Sequence, residues 1–513
     1  MLEFFRKTPK RTGGKTTQSG PDLGEEDLSS SLEENVASLR NLFADVETLR
    51  VKYVDNTHDK GFRCCLLYCD GMVDTVLVSE NLIKPLMLSR AIPEGGVLDA
   101  LMNQVVQLGE GSKSKNLLEV AEGIAYGDTV LFAEGENQAI LFNTKGFKTR
   151  SITEPDNEKN LYGPREGFTE SLMVNLSMVR RKVLSPDLKI KFFTLGRRTR
   201  TKACLCYMEG IVNRAVLDEL IRRLGGIDMD AVLDTNYLSE QIRDARWSPF
   251  RPVGDTERPD TTVAKIMEGR IAVFLDGTPM VLTVPYLFIE NFQSGEDYYL
   301  NYYFSTFSRW LRITGFFLTI TIPALYIAVV AFHHEMLPFQ LFVNIAAERV
   351  GVPLPAAVEA FVMIVMFDIL KEAGARMPSN VGQALSIVGA LVIGQAAVEA
   401  KLVASPMIIV VALTGITSML VPRLNAPAIY IRLGLLALAS TFGFYGVLVG
   451  LSCLLIHIIN LRSFGVPEIS LTGELRHQDM KDTFMRAPWW QMIRRPGFAD
   501  DKTRMKQGEE RNG

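Results

Sequence analysis

The apolar and polar positions divide this chain in two. Charged residues recur every few positions through about residue 310. A twenty-residue run without charge then extends from Ile313 to Phe332, ITGFFLTITIPALYIAVVAF. That is the length of helix a bilayer core of ~30 Å requires. Further apolar stretches follow at 355–370, 381–398, 402–421 and 433–461. The stretch 336–350, interrupted by Glu348-Arg349, is too short to cross and reads as an interfacial or re-entrant helix. The pattern predicts an α/β soluble head of two related subdomains followed by an all-α multi-pass membrane domain. The expected boundaries are a disordered tail at 1–30, a first subdomain with a linking helix at 31–190, a second at 191–300, a membrane domain at 301–462 and a basic tail at 463–513.

Within the head, Leu32, Val36, Leu39, Leu42, Phe43, Val46 and Leu49 fall at helical spacing. An internal repeat follows. Tyr68-Cys-Asp-Gly-Met-Val-Asp74 precedes one apolar helical stretch and Tyr207-Met-Glu-Gly-Ile-Val-Asn213 precedes another. Glu122-Gly123 before VLFAEGENQAILF pairs with Glu268-Gly269 before AVFLDGTPMVLTV, each with an acidic residue and a glycine at a hairpin turn. Between the copies lie Arg165 and Glu166 in a Gly/Pro-punctuated loop and Arg180 and Arg181 at a helix end. They read either as a bracing charge network or as a small-anion or ligand site. Tyr298, Tyr299, Tyr302, Tyr303 and Trp310, with Arg309 and Arg312 just before the apolar run, read as interfacial anchors.

Composition adds mainly exclusions. The net charge of −3 on 513 residues indicates no nucleic-acid partner. Six cysteines without paired metal spacing read as reduced thiols. The N-terminus lacks a signal-peptide core, so the head is expected on the cytoplasmic side. Gly14-Lys15-Thr16 ends like a phosphate-binding loop, but Pro9 stands where that loop needs glycine. His333 and His334 are adjacent and point ~100° apart on a helix, a poor metal pair. The expectation is no enzyme, no cofactor and no metal.

Ionisable residues within membrane segments usually face a cavity, the bundle interior or a partner, which singles out Glu359, Asp368 and Glu399 as pore candidates. Asp368 and Glu399 also read as helix-end caps, whereas a ring of Glu359 side chains would favour cations. The cations Arg309, Arg312, Lys371, Arg376, Arg423 and Arg432 suit a cytoplasmic side. Five spans would put the basic tail opposite them. Either one segment is re-entrant or the last is broken near Gly443–Gly446.

A set of motifs in one order carries a family resemblance. Glu268-Gly269-Arg270, Asp276-Gly277-Thr278-Pro279, a strand bearing Pro285, and Glu296-Asp297-Tyr298-Tyr299 stand before the first membrane run. RSITEP (150–155) and GPREGFTE (163–170) lie upstream. Downstream are KEAGARMP, with Glu372, Gly374, Arg376 and Pro378, then IVGALVIGQAAVEA, FGVP and KDTFMRAPWW. Over about residues 35–496 the chain resembles the A subunit of GerA-type spore germinant receptors. The resemblance implies a receptor in the spore inner membrane, with a permease-like B subunit that binds nutrient and a lipoprotein C subunit. It also implies a homo-oligomeric ring of A subunits in membrane lipid that passes monovalent cations when nutrient is sensed. A non-conducting scaffold and a transporter in its own right are the alternatives; the membrane half has no visible inverted repeat to favour the latter.

Overall fold

The computed structural model describes residues 27–58, 62–89, 97–108, 111–146, 158, 160, 162–377, 389, 392–469, 479–501 and 503–504. Residues 1–26, Gly14-Lys15-Thr16 among them, RSITEP, Pro378 and most of 381–391 lie outside it, as do 470–478, Lys502 and 505–513 of the basic tail. The chain divides into two compact units, Met1–Thr149 with Arg180–Lys191, and Arg150–Val179 with Phe192–Gly513.

The first unit is built on five antiparallel strands, β1 (Leu49–Asp55), β2 (Arg63–Cys69), β3 (Gly111–Ser114), β4 (Thr129–Ala133) and β5 (Ala139–Phe142), in the order β1-β2-β4-β5-β3. Both faces are covered, and the side-chain alternation of a strand is visible in the two cores. Cys65, Leu67, Val130 and Phe132 pack with the helices Leu32–Leu42 and Leu117–Tyr126. Cys64, Leu66, Leu131 and Ala133 pack with helical residues 75–88 and 97–105 on the other side. Burial pushes the Cys64 and Cys65 thiols up to about 12, so both stay protonated and unreactive.

The second sheet uses β6 (Leu188–Leu195), β7 (Thr201–Met208), β8 (Gly254–Thr256), β9 (Ile271–Leu275) and β10 (Val281–Val284), in the order β6-β7-β9-β10-β8. This is the same topology as the first sheet, strand for strand. The local devices match as well. Gly71 and Gly210 both take positive φ, at 82° and 76°. Asp74 and Asn213 each cap the following helix, accepting from the backbone N–H groups two and three residues on. The turn glycines Gly135 and Gly277 correspond, with φ of 84° and 92°.

One sequence pairing needs correction. Gly123 lies inside the helix Leu117–Tyr126, and the counterpart of Gly269 (φ 92°) is Gly127 (φ 100°), the residue that ends that helix. The repeat also reaches further back than its motifs suggested. Asn35 accepts from Ser29 N–H at 2.9 Å and donates to Ser29 O at 2.6 Å. Asn175 repeats both bonds with Thr169 at 2.8 and 2.6 Å. The helix Leu172–Lys182 is therefore the second copy of Leu32–Leu42.

After the second sheet, 3-10 turns at Phe288–Phe292 and Gly295–Tyr298 lead into a helix from Tyr302 that continues to Phe332. Helices follow at Phe339–Glu348, Ala356–Ala375, 392–399, Ser405–Ser418 and Asn425–Asn460. Among the described residues, two are long and apolar enough to cross a bilayer, Tyr302–Phe332 and Pro422–Asn460. The second is not straight. Gly443 has φ 60° and ψ −138°, and a Cβ at Gly450 would stand 2.5 Å from Leu435. Fifteen residues of straight helix would separate those positions by ~22 Å. The chain therefore reverses at Gly443, and residues 444–460 run back along 425–442.

Candidate functional site: a buried charge network between the second sheet and the long helices

Two family motifs of the head, Glu268-Gly269-Arg270 and Glu296-Asp297-Tyr298-Tyr299, meet at the segment joining β10 to the helix at Tyr302. Asp297, fully buried, receives both Arg312 guanidinium nitrogens at 2.8 Å and lies 3.6 Å from Arg309. Its oxygen also accepts from Ser294 N–H at 3.2 Å, which closes the 3-10 turn. Arg309, itself fully buried, donates to the Asp482 carbonyl at 2.9 Å and to its carboxylate at 3.1 Å. Tyr298 donates to the same carboxylate at 2.7 Å. Burial raises both the Tyr298 phenol and the Asp482 carboxyl, with Arg309 opposing the rise at Asp482. Arg309 is thus no interfacial anchor, since its charge is matched inside the protein by residues before and far after it. Tyr303 and Trp310, by contrast, are exposed.

A second cluster adjoins the first. Arg270 bridges Glu268 at 2.5 Å and Glu290 at 2.6 Å, Arg504 reaches Glu268 at 2.6 Å, and Lys265 pairs with Glu290. Burial opposes ionisation of Glu268, but Arg270, Arg504 and Lys265 hold its carboxyl below the usual range. Burial drives the Lys265 amine well down. Gly269 cannot be replaced freely, because a Cβ there would meet Ala499 at 2.9 Å and Ile211 O at 3.0 Å. A third cluster holds Tyr299, whose hydroxyl donates to Asp260 at 2.7 Å while Asp260 pairs with buried Arg258 at 2.9 Å. A Cβ on Gly163 would strike the Tyr299 ring at 2.6 Å, which explains the glycine in that loop.

Residues 479–504 close over this junction. Besides Asp482 and Arg504, Arg486 sits between the Tyr298 and Trp489 rings at 5.9 and 5.3 Å. Asn213 donates to Phe498 O at 2.8 Å, and Arg495 donates to Met267 O at 2.9 Å. An apolar stack runs beside the charges: Phe250, Phe288, Phe292 and Phe316 meet edge to face at 5.6, 5.7 and 5.8 Å. Every stage from β10 to the helix is thereby fixed by hydrogen bonds or packing.

Of the other expected residues, Pro285 and Glu296 belong to the joining segment and the rest lie apart from it. Asp276 accepts from Leu172 N–H at 3.0 Å in the turn of Gly277 and Pro279, and Pro285 follows β10. Glu296 lies in the Gly295–Tyr298 turn. Glu372 and Arg376 form an exposed pair at 2.6 Å with Gly374 between them. Arg165 is exposed, Glu166 and Arg181 are half-buried, and Arg180 is buried with its guanidinium on the carbonyls of Ser185 and Leu188 at 3.0 and 3.1 Å. Arg180 holds its own helix end. Glu359 is fully buried, paired with Arg349 at 2.9 Å and accepting from Ala404 N–H at 3.2 Å. Asp368 pairs with Arg432 at 2.5 Å, and Glu399 is exposed at a helix end. Arg258, Glu290, Asp482 and Arg504 were not evident from sequence, because each depends on a partner distant in the chain or unmarked by a motif.

The family model of the Bacillus/Clostridium GerA spore germination protein matches residues 37–498. Uncharacterized membrane protein YfkQ of Bacillus subtilis (strain 168) is 40% identical over 473 residues, 92% of this chain and 91% of its own. Spore germination protein KA of the same organism is 38% identical, covering 94% of this chain and 89% of its own. Spore germination protein GerLA of Bacillus cereus is 34% identical, over 86% and 90%. The crystal structure of the N-terminal domain of the A subunit of the Bacillus megaterium spore germinant receptor GerK3 aligns at 28% identity over 52% of this chain and 98% of its own, with a TM-score of 0.42. On the family match and these full-length relatives, the chain belongs to the GerA family of spore germination proteins, as a chain of the A-subunit type.

Proposed function

We propose that this chain is the A subunit of a nutrient-responsive germinant receptor of the spore inner membrane. It works with a permease-like B subunit and a lipoprotein C subunit, and several copies assemble into a ring that releases monovalent cations once nutrient is sensed. Membership of the GerA family is the observation that carries this reading. The junction supports the coupling step. A displacement of β9 and β10 has no slack to absorb it before Tyr302, so it turns or tilts the first long helix.

The proposed topology follows from the same contacts. The closing segment 479–504 binds residues of the second sheet's subdomain, so head and closing segment share one side of the membrane. The number of crossings between them is then even. With reversal at Gly443, crossings at 302–332, 356–375, the segment ending at 399, 405–418, 425–442 and 444–460 make six, and 339–348 stays at the far surface. Arg309, Arg312, Arg376, Arg423, Arg432, Arg486, Arg494 and Arg495 then lie together toward the cytoplasm, as the positive-inside rule asks. Glu359 reaches a pore only when its pair with Arg349 opens, so it acts as a gate element, and Asp368 with Arg432 is its counterpart nearer the head.

The test is potassium release from spores in which this gene is deleted, over a panel of amino acids, sugars and nucleosides, in a strain stripped of sister receptors. Loss of early release for one nutrient class supports the reading. Release indistinguishable from the parent for every nutrient overturns it.

A further inference from the structure

The segment 479–504 does not lie flat on the junction; it roofs a cavity of about 580 Å³. That volume lies in the range of small-molecule sites, ~300–1,000 Å³. Leu287 and Ile289 form one apolar wall, and Val466, Pro467 and Phe498 form another. Five cationic side chains line the space against three carboxylates. The carboxylates are all engaged: Glu268 and Glu290 with Arg270, and Asp482 with Arg309. Arg504 shares Glu268, and Arg495 pairs with Asp501 outside the lining. Among the described residues, two of these cations remain without a carboxylate. Lys481 has the Gln491 carbonyl at 3.2 Å, and among the described residues Arg494 has no side-chain hydrogen bond or ion pair. Buried Arg270 also keeps its Nε–H without an acceptor.

We propose that this cavity binds an organic anion, with a phosphate or carboxylate held by Arg494 and Lys481 and a short apolar body against the Leu287–Val466 walls. Cationic side chains gathered at the lining of a cleft raise the local concentration of anions, and a guanidinium fork matches either group in two parallel hydrogen bonds. The two sources of such a group are a free metabolite and the headgroup of an anionic phospholipid. The site is distinct from nutrient capture by the proposed B subunit. Its occupancy would brace the closing segment against the second sheet.

The test uses the full chain in lipid nanodiscs, read by its thermal unfolding midpoint. Glycerol 3-phosphate is titrated into phosphatidylcholine discs, with sodium chloride of equal ionic strength as control. In parallel, phosphatidylglycerol discs without added anion are compared with phosphatidylcholine discs. A saturable rise with glycerol 3-phosphate assigns a free anion, and a rise in phosphatidylglycerol alone assigns a headgroup. In Arg494→Ala/Lys481→Gln, the half-saturating concentration should rise at least about tenfold, or the lipid-dependent difference should vanish, since charge-assisted hydrogen bonds are lost. Arg494→Ala alone, at an exposed side chain, gives the same direction should the double variant fold poorly. No rise with either probe, or an equal rise in the variants, overturns the proposal.

Discussion

Asp297 carries two guanidinium groups at once, and its own environment leaves no route to water. Removing one partner of a buried ionic cluster strands the others, at a typical cost of ~3–5 kcal/mol. Asp297→Ala is therefore expected to lower the unfolding midpoint of the purified chain far more than Glu372→Ala, whose pair with Arg376 is exposed and worth under ~1 kcal/mol. Equal effects would contradict the buried network. Glu468 makes a pH-dependent case. It is buried, its Oε1 has no hydrogen-bond partner among the described residues, and burial, reinforced by Asp244, pushes its carboxyl up to about 8. The native chain keeps this proton where the unfolded chain, with an ordinary carboxyl near ~4.3, has lost it. Stability from this group is thus complete below about pH 4 and declines as pH rises toward 8. Glu468→Gln should match the parent at acid pH, gain on it between pH 5 and 8, and hold a constant lead above that. Parallel unfolding curves across the range would refute the assignment. Sequence made Asp297 visible through its motif. It misread Arg309 because an arginine among aromatics before an apolar run looks interfacial until Asp482, far downstream, supplies the matching charge.

The elements repeat the lesson with different physics. The duplicated α/β plan was legible because Tyr68–Asp74 and Tyr207–Asn213 encode the same turn glycine and the same helix cap, and such local devices survive divergence. The pairing of Gly123 with Gly269 failed because letters do not record φ. Only Gly127 needs the left-handed backbone that Gly269 also has. The second copy of the first helix could have been found from Ser29-x-Ser-Leu-x-x-Asn35 and Thr169-x-Ser-Leu-x-x-Asn175, whose end residues form the same side-chain to backbone pair. A break near Gly443–Gly446 was one of two readings left open by the span count, the other being a re-entrant segment, and nothing local shows whether such a break is a kink or a hairpin. Position does, because Leu435 and Gly450 are in contact only if the chain turns back. In a Cys453→Ser background, Leu435→Cys/Gly450→Cys should form an intrachain disulfide under mild oxidation. Failure to cross-link, while each single cysteine labels normally, would mean a continuous helix ~54 Å long, as its 36 residues imply.

At the scale of the molecule, the chain is a duplicated α/β head continued without slack into apolar helices, with its closing segment returned to the point of entry. Sequence located the family. It could not place 479–504, because a basic, Trp-bearing tail looks the same docked on protein as at a lipid surface. The placement matters because it hydrogen-bonds Tyr298 to Asp482, the pair we propose as a lever between head and helix. The central claim is that this lever transmits nutrient sensing to ion release, and potassium efflux timing tests it most directly. Spores carrying Tyr298→Phe/Asp482→Asn, at receptor levels matched to the parent by immunoblot, are exposed to whichever nutrient class the deletion strain fails to answer. The account predicts a lengthened delay before potassium efflux, with the variant chain present in normal amount. Efflux with the parent's timing would contradict it.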